Sequence, residues 1–286
     1  MNQYKNVDLE ISKIKNLPPL PEESIRIISA VNDSDISVED LVDVLSLSPV
    51  LVARLLGMAN SSYFGRSGQI DDLKIAIIQV LGLNLVKSLA LSIVLNVELK
   101  TTQCKNFDSN YFWGHALITA IMANKFALKL RNELIAPNIA YTSGLLLNIG
   151  LLVSINIFPN ELNKIFSKVD PIEGSVLNEM QYLIGKNQYQ MGQLLLERWK
   201  LPLVYQEMLK QYRQKEYEDD KSQLVLLLEL SHWVAVYIIM GKIDEMPDFS
   251  DLLNKLSLSK KVFSAVVNDV EQTKDSVFEL ATVISG

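Results

Sequence analysis

Apolar residues recur along this chain at helical spacing, interrupted by short polar or proline-bearing breaks, and no segment shows a convincing period of two. Val38, Leu41, Val42 and Leu45 fall at i, i+3, i+4 and i+7 behind Ser37-Val38-Glu39-Asp40, which predicts a short amphipathic helix with a capping-box-like start. Ser48-Pro49 predicts the next start, with proline at the first helical position, where its missing N–H costs nothing, and Val52, Leu55, Leu56 and Ala59 as the inner stripe. That helix ends in Asn60-Ser61-Ser62-Tyr63-Phe64-Gly65, where polar residues and a glycine stop it. Asp71 and Asp72 open a further helix through Ile75, Ile78 and Leu81 to a C-cap at Gly82, and Asn84 is expected to cap another reaching about Lys100.

Leu17-Pro18-Pro19-Leu20-Pro21 cannot be helical, so it separates a short N-terminal helix from a helix over Glu22 to Asn32. The polar stretch Thr101 to Asp108 is the candidate hinge between two halves. A helix from about Ser109 to Arg131 follows it, and Pro137 marks a new start. Asp170-Pro171, Gly185, Leu201-Pro202 and the charged run Lys215 to Lys221 punctuate the rest, and the final helix, about Ser259 to Ile284, is expected to break near Asn268. The pattern predicts an all-α chain, with an N-terminal helical bundle over residues 1–105 packed against a second helical bundle over 106–286.

With 49% apolar residues, 12 glycines and 9 prolines among 286 residues, the composition is that of an ordinary soluble protein, and its length suits two moderate cores. A formal charge of −6 offers no generic attraction to nucleic acid or anionic lipid, so neither is expected as a partner. Cys104 is the only cysteine and lies in the polar linker without a nearby base; no zinc-spaced cluster and no Ser-His-Asp or Cys-His arrangement accompanies it. Asp8 and Glu10 argue against a secretory signal, and a reducing cytoplasm is expected. The uncharged run from Leu134 to Asn160 is long enough to span a bilayer, but Pro137, Asn138, Asn148, Asn156 and Pro159 interrupt it, so buried core helices are expected instead.

Several motifs together resemble the bacterial HDOD domain, a degenerate relative of the HD phosphohydrolases found in signalling proteins. In the first half they are Leu17 to Pro21, Leu47-Ser48-Pro49-Val50-Leu51-Val52-Ala53-Arg54-Leu55-Leu56, Asn60 to Gly65, and Ala76-Ile77-Ile78-Gln79-Val80-Leu81-Gly82-Leu83-Asn84. In the second they are Phe112-Trp113-Gly114-His115, Gly144-Leu145-Leu146-Leu147-Asn148-Ile149-Gly150 and Gly192 to Pro202. The resemblance implies an HD-like second bundle and assigns positions of a former metal site. His115 stands at the first His, Leu147 and Asn148 at the His-Asp doublet, Gln188 at a frequent histidine, Tyr212 and Arg213 at a His pair, and His232 near a final Asp.

A hydrolytic metal centre needs about three protein ligands to hold the ion and acidify its water. Leucine has no lone pair to give and a neutral amide is a poor ligand, so no cofactor, no metal and no phosphohydrolase activity are expected. Asn148 is the expected partner of His115. Glu229 and His232 share a helical face, but one such pair cannot make a centre. Asn60, Tyr63, Phe64 and Arg66 form a possible recognition loop for a base or a partner surface, or else a helix end with its aromatics docked into the core. Three function classes follow. The resemblance favours a non-catalytic signalling module of unassigned oligomeric state, binding protein partners through the groove between the halves. The second class is a nucleotide or cyclic-dinucleotide sensor using the pocket of His115, Asn148 and Gln188, with Arg213 as phosphate ligand; the third is an active hydrolase.

Overall fold

The structure, a computed structural model, describes residues 20–65, 68–130, 135–169, 175–212 and 222–286. Every regular element among them is helical, which bears out the all-α expectation. The expected helix before Leu17 lies outside the described residues, as do Arg131, Asp170-Pro171 and the charged run 215–221.

The first half contains α1 (Glu22–Asn32), α2 (Val38–Leu45), α3 (Pro49–Ala59), a 3-10 turn (Ser62–Phe64), α4 (Leu73–Ala76) running into a π turn (Ile77–Leu81), and α5 (Leu83–Glu98). The starts follow local chemistry. The Ser37 hydroxyl accepts the Asp40 N–H at 3.0 Å and the Asp72 carboxylate accepts the Ile75 N–H at 2.7 Å, each of which satisfies an orphan donor of a first turn. Asn84 is not the cap of α5. The helix begins one residue before it, because Gly82 turns the chain at φ +78°, a conformation other residues avoid, and the segments on either side meet at 118°.

The second half contains α6 (Ser109–Ala127), α7 (Pro137–Leu146), α8 (Ile149–Ile157), α9 (Pro159–Phe166), α10 (Ser175–Ile184), α11 (Gln188–Arg198), α12 (Leu203–Gln211), α13 (Gln223–Met240), a 3-10 turn (Ile243–Glu245), α14 (Ser250–Lys255), α15 (Lys260–Gln272) and α16 (Lys274–Ser285). The break expected near Asn268 falls at Thr273, whose hydroxyl turns back onto the Val270 carbonyl at 3.1 Å. Cys104 is not in an open linker: it is buried, with Sγ 3.4 Å from Asn163 Oδ1, and Asn163 also accepts the Asn106 N–H at 3.1 Å, which ties this stretch to α9.

Helix α6 is the axis of the molecule. Every residue from Phe112 to Ala123 is buried, so it is enclosed on all sides, chiefly by α7, α13 and α16. Helix α16 crosses back to the first half. The Ile284 carbonyl accepts from Arg54 Nη1 at 2.5 Å and from Asn96 Nδ2 at 2.9 Å, while Trp113 Nε1 donates to Asn96 Oδ1 at 2.8 Å. Among the described residues, Pro137–Ile157 and Gln223–Met240 are long and apolar enough to cross a membrane; 83% and 61% of each is buried inside the protein.

Candidate functional site

Two close backbone approaches set the site. Gly144 of α7 lies against α6 so tightly that a Cβ there would sit 2.6 Å from Ala120 Cα. Gly150 of α8 lies against α11, where a Cβ would be 1.7 Å from the Gln188 carbonyl oxygen and 2.5 Å from the Gly192 N. Only glycine permits such contact. The chain between the two glycines carries Leu147 and Asn148 into the interior, where both are buried.

There the Gln188 amide donates through Nε2 to Asn148 Oδ1 at 2.9 Å. This bond corrects the expected pairing of Asn148 with His115, and its cause is the glycine contact that brings α11 against α8. His115 on α6 instead meets His232 on α13, with ring centroids 4.8 Å apart in an edge-to-face arrangement. The rings continue through Tyr212, 6.4 Å from His232, to Tyr189, 4.7 Å from Tyr212. Burial pushes the His115 imidazole down from 6.5 to about 4, against a smaller opposing effect from a main-chain hydrogen bond at His232. Its Nε2 has no hydrogen-bond partner among the described residues.

His115, Leu147, Asn148, Gln188, Tyr212 and His232 are each at most 3% exposed, so the positions that the resemblance assigns to a metal site lie in the core. Among the described residues the donors here are two imidazoles, two amides and phenols, with no carboxylate to balance a dication, and this set does not fit a hydrolytic metal. Glu229 is half-buried beside this core, and among the described residues no group of three or more His, Cys, Asp or Glu converges.

The second expected site is built differently. Asn60 is a latch: its Nδ2 donates to the carbonyls of Leu56 and Ile70 at 2.8 and 2.7 Å, and its Oδ1 accepts the Ile70 N–H at 2.7 Å. Tyr63 and Phe64 are half-buried and pack edge-to-face at 5.1 Å. Arg66 and Arg213 lie outside the described residues.

Residues 17–215 match the HDOD domain model, well over half of the chain. The chain belongs to the HDOD domain family. An uncharacterized protein of Treponema pallidum (strain Nichols) is 27% identical to this HDOD chain over 192 residues, 66% of the chain and 36% of that protein, so the chain spans about a third of that relative's length. Three crystal structures are similar. A proposed signal transduction protein of Marinobacter aquaeolei VT8 superposes with a TM-score of 0.79 at 24% identity, over 100% of this chain and 67% of that one. A proposed phosphohydrolase of Shewanella amazonensis SB2B gives 0.74 at 22% identity, over 96% and 97%. An HDOD domain protein of unknown function from Geobacter sulfurreducens gives 0.65 at 19% identity, over 95% and 99%. At these identities the likeness is one of fold.

Sequence reasoning about the HDOD site missed Tyr189, which completes the ring series, and the buried hydroxyl of Thr119. A usable signal was present in Thr119, one helical turn after His115 on the same face of α6.

Proposed function

We propose that this HDOD chain is a non-catalytic bacterial signalling module, cytoplasmic, that acts by binding protein partners. The observation that carries this reading is the buried Gln188–Asn148 amide pair. The Asn148 amide oxygen, which would have to face a cation, is taken up by the Gln188 N–H, and the bond ties the start of α8 to α11. Leu147 fills neighbouring space with methyl groups that hold no metal and exclude water. A neutral His115 packed on His232 supports the same conclusion. The names given to the Marinobacter and Shewanella proteins point in two directions, signalling and hydrolysis, and the residues of this chain favour the first.

The test has two arms. Purified full-length protein incubated with Mn2+, Zn2+ or Fe2+ and then desalted should retain well under one equivalent of metal by elemental analysis. It should also show no turnover of a phosphodiester substrate above buffer. One tightly held equivalent with metal-dependent turnover overturns the proposal. Affinity capture from a bacterial lysate should return a specific partner at stable stoichiometry.

A further inference from the structure

A cavity of about 670 Å³ opens between the 3-10 turn at Ser62–Phe64 and the first turns of α5 and α7, in the crease where the two halves meet. Small-molecule sites commonly span roughly 300 to 1,000 Å³ and combine apolar walls with a few convergent polar groups. The walls here are aromatic at the rim and floor. Tyr63 and Phe64 stand edge-to-face, and the Tyr141 phenol is half-buried, with its ionisation raised by burial so that it stays a neutral donor.

Charge selects the ligand. In a chain of formal charge −6, the described residues of the lining include one cation, Lys125, and no Asp or Glu. Lys125 is paired at 2.6 Å with Asp269, whose charge also reaches Tyr63; both side chains of the pair are partly exposed, so the pair is weak and the ammonium can be shared with an incoming anion. Neither α5 nor α7 has a side-chain cap; their first turns line the same space with the exposed amides of Asn84 and Asn138, and in α7 the free N–H groups begin after Pro137.

We propose that this crease binds a small anion bearing a flat aromatic ring, of the nucleoside monophosphate class. The ring packs against Tyr63 and Tyr141, and the phosphate sits toward Lys125 and the two helix starts. Aromatic faces accept any base, so the walls give affinity while the cationic end requires the charge. The site is separate from the buried His115 cluster and does not depend on that cluster being silent.

Calorimetric titration of the full chain with GMP and AMP, and separately with guanosine and inorganic phosphate, tests the proposal. At least one mononucleotide should bind and raise the melting temperature, while guanosine and phosphate alone should each bind more weakly by about tenfold or more. Asn84→Asp and Asn138→Asp place a carboxylate in a helix first turn, which favours the helix, so both variants should fold with an unchanged or higher melting temperature. Each should lower mononucleotide affinity by about tenfold or more through repulsion of the phosphate. Absence of binding by both mononucleotides at millimolar concentration overturns the proposal. So does undiminished binding by both aspartate variants, or guanosine or phosphate binding as tightly as the nucleotide.

Discussion

At neutral pH the His115 imidazole is uncharged, because burial holds it near 4 while the unfolded chain titrates it near 6.5. The sign of the linkage is therefore fixed: the unfolded state takes up a proton first as the pH falls. Stability attributable to this residue is intact above pH 6.5 and is lost progressively down to about 4, a total on the order of 3 kcal/mol. Urea unfolding at stepped pH should show this acid limb in the native chain, and His115→Leu should flatten it. An identical limb in the variant would place the titrating group elsewhere. The position of His115 was legible from the motif around it, but its partner was not. Whether an imidazole meets an amide or another imidazole depends on helix separations of an ångström or less, and those are set by Gly144 and Gly150 rather than by the polar residues themselves.

Glycines on two helices give opposite expectations. Gly150→Ala drives a methyl group into the backbone of α11, so α8 and α11 must part and the Gln188–Asn148 bond must stretch. A loss of about 3 kcal/mol is expected in denaturant unfolding. Gly57 sits exposed within α3, where a Cβ would rest 3.6 Å from Val283, an ordinary contact. Gly57→Ala should stabilise the protein by roughly 0.5 to 1 kcal/mol through reduced freedom of the unfolded chain. Equal effects of the two substitutions would contradict the close-packed account. Helix starts at Ser37 and Asp108 were readable because a cap acts within three or four residues, and those at Pro49 and Pro137 because proline itself favours the first helical position. A break in the last helix was expected near Asn268, but its place at Thr273 was not readable. Residues 260–285 contain no Gly or Pro, and the chain breaks there because α16 must leave the line of α15 to lie along α6.

The matched family segment ends at residue 215, yet the fold does not. His232 arrives on α13, and α16 seals α6 with Phe278 packed onto Gly114 so closely that a Cβ there would stand 2.5 Å from the ring. A variant ending at residue 215 strips two of the helices that enclose α6 and bares an apolar face. It should be recovered in aggregates, or should unfold without a cooperative transition by circular dichroism, whereas a variant ending at 286 unfolds in one step. Cooperative unfolding of the shorter chain would show that α13 and α16 are accessories. The all-α class and the packing of an N-terminal bundle on an HD-like one were legible from periodicity and motif. The return of α16 to Arg54 and Asn96 was not, because a contact across roughly 190 to 230 positions leaves no local trace.

That return has a consequence for biosynthesis. A ribosome delivers α3, α5 and α6 long before it delivers residues 274–285, so the nascent protein waits with its central helix partly uncovered until the last of these clears the exit tunnel. Enclosure of α6 is thus held back until α16 has emerged, and holdase chaperones have their window on this protein during that delay.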